Sequence, residues 1–507
     1  MDAPEAEQLF QQAVAAYRQN NFAVAASHCR RLLKVDPNHA AVLQLAGVVA
    51  LRDKRSKKAV EYLSKAAELL PQDPGVRTNL ALALTATGRR SEAISCYGQV
   101  VALNPSHGVA HFNMGQLLLQ NGQYPEAVLS LEKAAELQPK SAEVHAVLGQ
   151  GQRLAGDLPA AISAFRVSLS LDRKNADNLA LLANALGEQD SSNFVEAVAL
   201  YREALDMAAD RGEIWSNLAW TLCEIDDLDG AREAAETAVR RAPKLAAAHY
   251  HLGLIEMRGG ADQAAEQALR KAIRLNPRYV RAYSALALVL ENLQDDAAVA
   301  QLADPKTYVQ GFMIDELIAV PSMADFNDSF VDFIHRHPTL MFDRPNRATT
   351  GGSQTLDLVG ETAPIMKSFH NAIDQAVWQY LTVMKKGAAN NYFRQTPKTW
   401  HKTIWAVVLR SGGYQAPHNH PTGFISGVYY PKVPAIVGKL GEAGFIEFGP
   451  SNVTGADDQQ LSSALRFVGQ PKPGRMFLFP SYMWHRTIPF ESDEERISVA
   501  FDILWRR

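Results

Sequence analysis

Length, composition and charge set the first limits on this protein. The chain has 507 residues, of which 47% are hydrophobic and 21% charged, a composition typical of folded protein with more than one core. Its 51 basic and 54 acidic side chains leave a formal net charge of −3, so no overall positive field attracts nucleic acid or anionic lipid. We therefore expect neither a nucleic-acid partner nor a membrane partner.

The N-terminal segment and the cysteines predict a cytoplasmic protein. The first seven residues, Met-Asp-Ala-Pro-Glu-Ala-Glu, are acidic and lead into an amphipathic helical pattern, unlike the cationic start and apolar stretch of a secretory signal. No run approaches the ~18 apolar residues that suggest a membrane-spanning helix. Cys29, Cys96 and Cys223 include no pair at metal-ligand spacing, which predicts small buried side chains in a reducing compartment.

Prolines recur with a fixed period through the first half of the chain. Four of them, Pro37, Pro71, Pro105 and Pro139, are 34 residues apart, and Arg173 occupies the next position in phase. The phase then slips by two residues before Pro243 and Pro277, which predicts a short insertion near residues 189–193. A period of this length predicts a solenoid of stacked helical hairpins.

Each repeat also has an internal pattern of small and large residues. Gly115, Gly149 and Gly253 stand in first helices, where the two helices of a hairpin approach closely, and large residues of the second helices fill the gaps between hairpins. This pattern resembles the tetratricopeptide repeat, in about eight copies from roughly residue 4 to 277, with a helix at 279–293 as a cap. The resemblance implies a solenoid domain over residues 1–300.

The concave face of such an array usually receives a protein or peptide segment. Polar residues of the first helices are candidates to bind its backbone, with a solvated helix face as the alternative reading of each. These candidates are Asn79, Asn113, His145, Asn217 and His251. For the array as a whole, the alternative role is a spacer or a dimerisation arm.

After Asp304-Pro305 the helical period ends and aromatic and β-branched residues become frequent. Residues 308–318 look strand-like, and 326–335 and 361–384 look helical. Short apolar or alternating runs then follow at 403–409, 425–430, 444–448, 475–479 and 497–504, separated by turn residues. This order predicts an α+β domain over residues 305–507, a β-sandwich or barrel with helices on one face.

Three histidines of this domain have the order and spacing of a mononuclear metal site. His418 and His420 are two residues apart and would point to the same side of an extended chain, and His485 follows the apolar run 476–479. Three protein ligands on one side of an ion leave positions open for a cosubstrate and dioxygen, as in non-haem iron oxygenases. Arg496 and Ser498 share one face of the last strand and could hold a carboxylate.

The histidines, the stretch Ser426-Gly-Val-Tyr-Tyr430 and the Phe-Pro-Ser turn at 479–481 resemble the prolyl-hydroxylase-like 2-oxoglutarate- and Fe(II)-dependent oxygenases. The resemblance implies a double-stranded β-helix (jelly-roll, cupin-like) fold, with iron at His418 and His485. It implies 2-oxoglutarate held by Arg496 and Ser498, with Tyr430 as a helper, and allows ascorbate as an accessory. Decarboxylation of 2-oxoglutarate with dioxygen would then drive hydroxylation of a substrate, with no catalytic residue beyond the metal site.

One position departs from the resemblance and leaves alternatives open. That class usually has Asp or Glu two residues after its first histidine, where this chain has His420, and no acidic residue lies between Ser411 and Gly441. His420 either binds the metal directly or lies behind it while water completes the coordination. The same loop resembles a cupin, so a three-histidine metalloenzyme that does not use 2-oxoglutarate is the first alternative. A non-enzymatic interaction scaffold is the second. Our prediction is a dioxygenase that acts on a protein or peptide recruited by the repeats.

Overall fold

The structure is a computed structural model. It describes residues 2–318, 320, 322–344, 348–387, 391–439, 441–449 and 466–505. The chain forms two compact units, Met1–Asp210 and Arg211–Arg507.

The described part of the first unit consists of helices joined in antiparallel hairpins by short turns. The second helix of each hairpin ends two residues before the periodic proline or its counterpart, which confirms the predicted solenoid. A 3₁₀ turn at Ser191–Asn193 accommodates the predicted insertion. The helices are α1 (Ala3–Arg18), α2 (Phe22–Val35), α3 (Ala40–Arg52), α4 (Ser56–Leu69), α5 (Pro74–Ala86), α6 (Arg90–Leu103), α7 (Gly108–Gln120), α8 (Tyr124–Leu137), α9 (Ala142–Ala155), α10 (Leu158–Leu171), α11 (Ala176–Gln189) and α12 (Phe194–Met207).

Glycines of the first helices allow the two helices of a hairpin to come into contact. A Cβ placed on Gly115 of α7 would lie 2.6 Å from Leu131 Cγ of α8, and one on Gly149 of α9 would lie 2.8 Å from the Phe165 ring of α10. Both distances are far shorter than van der Waals contact, so a larger residue would force the helices apart. The predicted small-against-large packing is therefore confirmed at these positions.

Five of the periodic prolines, Pro71, Pro105, Pro139, Pro243 and Pro277, also have their carbonyl oxygens in hydrogen bonds with side chains. In each of these five the partner is the side chain six residues later, in the next first helix. Arg77 Nε donates to Pro71 O at 2.9 Å, and His145 Nε2 lies 3.1 Å from Pro139 O. These bonds satisfy carbonyls just beyond the C-cap and tie the turn to the start of the next hairpin.

Of the polar residues expected to face a bound peptide, several already have partners within the chain. His145 contacts Pro139 as described. Asn113 donates to Tyr97 Oη at 3.2 Å, and His251 Nδ1 lies 2.9 Å from the Ser216 carbonyl oxygen. These contacts reduce the number of free polar groups, and peptide binding by the array stays a prediction.

The second unit begins with the remaining hairpins. The first eight hairpins of the described chain end with α16, as predicted, and the expected capping helix is α17, which pairs with a shorter α18. Further helices lie between and before the strands. The helices are α13 (Gly212–Glu224), α14 (Leu228–Arg241), α15 (Ala246–Arg258), α16 (Asp262–Leu275), α17 (Val280–Asn292), α18 (Asp296–Ala303), α19 (Pro305–Tyr308), α20 (Ile314–Leu317), α21 (Met323–His335) and α22 (Pro364–Gly387).

Two antiparallel sheets complete the unit, consistent with the predicted double-stranded β-helix. The larger has seven described strands in the order β1-β8-β5-β10-β4-β3-β2, and the smaller has three in the order β7-β6-β9. The strands are β1 (Gln310–Met313), β2 (Met341–Phe342), β3 (Thr349–Gln354), β4 (Trp400–Gln415), β5 (Ile425–Lys432), β6 (Ile446–Phe448), β7 (Phe467–Gly469), β8 (Arg475–Pro480), β9 (His485–Thr487) and β10 (Arg496–Trp505). The predicted strand at 308–318 is wrong in its length, because the chain turns into α20 after Met313.

The two faces of the larger sheet have different surroundings. Phe369 of α22 contacts Tyr429 of β5 and Phe501 of β10, with ring centroids 5.4 and 6.2 Å apart. Alternation along the strands turns Tyr430 and Ser498 to the opposite face. On that face Phe479 of β8 meets Phe448 of the smaller sheet, with centroids 4.9 Å apart. The candidate functional residues therefore lie between the two sheets.

The last helical hairpin shares a hydrophobic core with the sheets. The Tyr283 ring of α17 lies 4.9 Å from the Tyr392 ring and 5.3 Å from the Tyr482 ring. Tyr482 also donates a hydrogen bond to the Leu302 carbonyl of α18 at 2.7 Å. The core of the second unit thus contains residues from both sides of positions 300–305. The domain boundary placed there stays a prediction. Within the residues described, we find no helix of the length and apolarity that crossing a bilayer requires.

Candidate metal centre

A backbone bridge brings His418 and His485 together. The amide of each donates to the carbonyl of the other, both at 3.0 Å. His418 lies in the loop between β4 and β5, and His485 is the first residue of β9. Residues directly opposite each other on paired antiparallel segments have neighbouring side chains. The two imidazole centroids are accordingly 4.3 Å apart.

His420 completes a group of three imidazoles. Its amide donates to the Ser481 carbonyl at 2.9 Å, and its ring stacks on Trp405 of β4 with centroids 5.5 Å apart. One ring nitrogen from each of the three histidines lies within 4.8 Å of the others. Nitrogens bound to one ion at about 2.1 Å are at most about 4.2 Å apart, so small side-chain shifts would let all three contact one cation.

Burial keeps two of these imidazoles neutral. It lowers the pKa of His418 to about 4, with a smaller contribution from the neighbouring His420, and it holds the pKa of His485 well below the usual value. The Nδ1 atoms lie 2.7 Å from the Ala416 carbonyl oxygen and 3.1 Å from the Met483 carbonyl oxygen. Because a carbonyl only accepts, each Nδ1 carries the proton and each Nε2 has a free lone pair for a metal.

Asp502 is a member of this site that we did not predict. Its carboxylate oxygens lie 2.7 and 2.9 Å from His420 Nδ1. The side chain stands on β10 at 7% exposure, on the same face of the strand as Arg496 and Ser498. The alternation of side chains along β10 could have predicted it, because positions 496, 498, 500 and 502 share one face of the strand.

Arg496 lies fully buried between the sheets. It is 1% exposed, donates from Nε to the Gly444 carbonyl at 2.9 Å, and stands 4.9 Å above the Tyr430 ring. Among the residues that the structure describes, its Nη1 and the Tyr430 hydroxyl have no hydrogen-bond partner beyond each other, and no carboxylate is within ion-pair distance. Burial lowers the pKa of Arg496 and raises that of Tyr430. Ser498, also 1% exposed, faces the same side of β10.

An open cleft of about 440 Å³ reaches the histidines from outside. Its lining includes His418, His420, Asp502 and Trp405. Trp405 therefore both stacks on His420 and lines this cleft. The other lining residues are Ala348, Gln354, Thr355, Leu356, Asp357, Thr403, Gln415, Asn419, Pro421 and Thr422.

Family models match both parts of the chain. Residues 403–502 match the model described as "Putative 2OG-Fe(II) oxygenase". Tetratricopeptide repeat models match residues 10–74, 84–151, 188–255 and 246–279. The chain thus carries tetratricopeptide repeats followed by a 2OG-Fe(II) oxygenase-like domain, which confirms the resemblance found in the sequence.

Solved structures resemble the chain at low identity, and no curated protein matches it. MamA from residue 41 onward, from Desulfovibrio magneticus RS-1, is 22% identical, with 34% of this chain and 95% of that one covered and a TM-score of 0.32. The Cut9–Hcn1 hetero-tetramer of the APC/C is 16% identical over 57% of each chain, with a TM-score of 0.40. The C-terminal part of a TPR repeat-containing protein from Cytophaga hutchinsonii is 17% identical over 55% of this chain and 99% of that one, with a TM-score of 0.37.

Proposed function

We propose that this protein is a non-haem iron dioxygenase that couples decarboxylation of 2-oxoglutarate to hydroxylation of a substrate. The observation that carries the proposal is the combination of three converging imidazoles with a buried arginine that has no described carboxylate partner. The match of residues 403–502 to the oxygenase model supports it.

The donor set fits a transition metal. His418, His420 and His485 would hold the ion through imidazole nitrogens, which suit iron as well as zinc, copper and nickel. The buried Nε2 of His420 has no partner among the described residues, and a metal would supply one. Iron(II), when bound, supplies the oxidising chemistry with dioxygen. The protein supplies the orientation of the ligands and shelter from water.

The surroundings of Arg496 fit a dicarboxylate cosubstrate. A buried cation without a counter-ion is costly, and an anionic ligand removes that cost. The Arg496 Nη1 and the Tyr430 hydroxyl have no described partner beyond each other, so both can donate to a carboxylate. Ser498 shares their side of the sheet. We assign Arg496, Ser498 and Tyr430 to binding the far carboxylate of 2-oxoglutarate.

We further propose that the substrate is a protein or peptide. The repeats are of a kind that binds such segments, and this step from fold to partner is an analogy. The cleft beside the histidines is lined by Gln354, Gln415 and Asn419, whose amides can pair with a peptide backbone. The cytoplasmic location and a role for ascorbate are parts of the same proposal.

The proposal is tested by turnover of labelled 2-oxoglutarate in the presence of iron(II), dioxygen and ascorbate. Arg496→Gln should lower succinate formation at least about 30-fold, since truncating one partner of a buried charge pair costs roughly 2 kcal/mol or more. Arg410→Gln is the matched control, because Arg410 lies on the neighbouring strand β4 with a side chain 68% exposed. Absence of succinate from the wild-type protein in every substrate pool would overturn the proposal.

A cupin-like metalloenzyme that does not use 2-oxoglutarate is the second candidate. The observation that favours it is the donor set, which contains imidazoles but no carboxylate ligand among the described residues. This candidate predicts stoichiometric metal but no binding of 2-oxoglutarate. Substitution of Arg496 would then leave turnover of the true substrate unchanged once folding is controlled for.

A further inference from the structure

The three histidines differ in the group that contacts their Nδ1 atoms. His418 and His485 each place Nδ1 against a neutral backbone carbonyl. His420 alone of the three places Nδ1 against a carboxylate, that of Asp502, at 2.7 and 2.9 Å. A carboxylate accepts a proton-bearing nitrogen more strongly than a carbonyl does. His420, the histidine with the carboxylate contact, therefore occupies the position where the oxygenase class usually has an acidic ligand.

Asp502 is itself held in a buried hydrogen-bonded group. The Ser426 hydroxyl, on β5, donates to Asp502 Oδ1 at 2.6 Å, and the Ser481 hydroxyl lies 2.8 Å from that of Ser426. Ser426 is 1% exposed and Ser481 0%. A Cβ on Gly423 would collide with the Ser481 hydroxyl, so the turn after His420 is shaped to admit this group.

Within the part of the chain that the structure describes, no lysine or arginine balances the charge on Asp502. Its only ion-pair contact there is His420. A buried carboxylate is costly unless hydrogen bonds and a positive charge compensate. Two hydrogen bonds are present, and a cation held at His420 Nε2 would provide the charge through the ring.

We propose that Asp502 is a positioning residue of the metal centre. Through His420 it supplies the negative charge that an acidic ligand supplies in the oxygenase class. Its hydrogen bond fixes the proton on His420 Nδ1, directs Nε2 toward His418 and His485, and makes the imidazole a stronger donor. His420 is thereby a direct ligand. This inference rests on the proposed metal centre, but it does not depend on 2-oxoglutarate.

The test compares metal affinity with metal-free stability in the full chain. Iron(II) is titrated anaerobically into wild type and Asp502→Asn, and the thermal midpoint of each metal-free protein is measured. Asp502→Asn should weaken iron(II) binding about 10- to 100-fold. The metal-free variant should melt no earlier than wild type, because an uncompensated buried charge has been removed.

Asp357→Asn is the matched control. Asp357 lines the same cleft, and its carboxylate accepts from the Ile404 amide at 2.9 Å and the Val359 amide at 3.0 Å. Among the described residues, no hydrogen bond or ion pair joins it to His418, His420 or His485. Its substitution should lower thermal stability and leave iron(II) affinity within about 2-fold of wild type, since a lost hydrogen bond to the backbone does not reach the metal.

Ser426→Ala gives a second, milder perturbation if Asp502→Asn does not fold. It removes one bond to Asp502 and should weaken iron(II) binding about 3-fold or more. Wild-type affinity in Asp502→Asn, or in Ser426→Ala where that variant is used, would overturn the role of Asp502 while the proposed function stands. Absence of stoichiometric iron(II) binding by wild type would overturn both.

Discussion

Gly115 and Gly98 are helical glycines in neighbouring repeats with different surroundings. A Cβ on Gly115 of α7 would lie 2.6 Å from Leu131 Cγ, whereas one on Gly98 of α6 would meet nothing within 4 Å. The repeat period alone marks Gly115 as a position of close approach. The room around the added Cβ therefore decides whether substitution by alanine destabilises or stabilises the protein at each glycine.

Gly115→Ala should destabilise the first unit by about 1–3 kcal/mol, because the added methyl pushes Leu131 out of its packing. Gly98→Ala should stabilise it by up to about 1 kcal/mol, because alanine favours the helix and fits without strain. Hydrogen exchange of the α7–α8 peptides, followed by mass spectrometry, measures the first effect, and urea unfolding followed by circular dichroism measures both. Equal effects of the two substitutions would contradict the packing described.

The candidate site residues differ in how far the sequence alone can predict them. Spacing and neighbouring turn residues are enough to predict His418, His420, His485, Arg496 and Ser498 as candidates. Asp502 is not predicted in this way, because 82 residues separate it from His420 and their contact depends on the pairing of β10 with β4 and β5. That register is a product of tertiary folding, which short-range spacing does not encode.

At the scale of single elements, α17 carries a carboxyl in an unfavourable position. Burial, with a smaller contribution from Asp296, raises the pKa of Glu291 from 4.5 to about 7. Its Oε1 is buried without a hydrogen-bond partner among the described residues. The helix that joins the repeats to the sheet core therefore becomes less stable as this group ionises.

The sign of the pH dependence follows from the raised pKa. The folded state holds the Glu291 proton more tightly, so the contribution of this group to stability is fully present below pH 4.5 and is lost as pH rises through about 7. Glu291→Gln should stabilise the second unit by about 1 kcal/mol at pH 8, after allowance for the partial exposure of the side chain, and by almost nothing at pH 4.5.

Urea unfolding followed by tryptophan fluorescence measures this effect, because all seven tryptophans lie in the second unit. Glu233→Gln on α14 is the control, since that side chain is exposed, and it should change stability little at either pH. A stabilisation by Glu291→Gln that is the same at pH 4.5 and pH 8 would show that ionisation is not its cause.

Elements were predictable to the extent that they carry a period. The helices of the repeats follow from the 34-residue spacing, and β5, β8 and β10 follow from apolar runs. Strands β7 and β9 have three residues each, and β2 has two. Segments this short contain no measurable alternation, and their conformation depends on the strands they pair with.

At the scale of the whole molecule, the second unit continues across the predicted domain boundary. Tyr283 of α17 packs on Tyr392 and Tyr482, and Tyr482 bonds to Leu302. Tyr482 is followed three residues later by His485. The sequence indicates a change of pattern near residue 304 but does not reveal that the last hairpin belongs to the same core as the sheets.

This shared core predicts the behaviour of truncated chains. A fragment of residues 211–507 should fold cooperatively and bind metal, because it retains α17 and α18. A fragment of residues 305–507 should aggregate or unfold at a midpoint at least about 5 °C lower, because it exposes buried tyrosines. Tryptophan fluorescence and thermal unfolding compare the two. Equal midpoints and metal contents would show that the last hairpin adds nothing to the core.

We propose that the three histidines and Arg496 serve one metal-bound cosubstrate. Anaerobic calorimetry of 2-oxoglutarate tests it most directly, with iron(II)-loaded wild type, metal-free wild type and iron(II)-loaded Arg496→Gln as samples. We predict one molecule bound per chain in the first sample and binding weakened at least about 30-fold in the other two, as expected when one side of a buried charge interaction is lost. Equal binding in all three samples, or none in the iron(II)-loaded wild type, would show that the metal and Arg496 do not hold 2-oxoglutarate together.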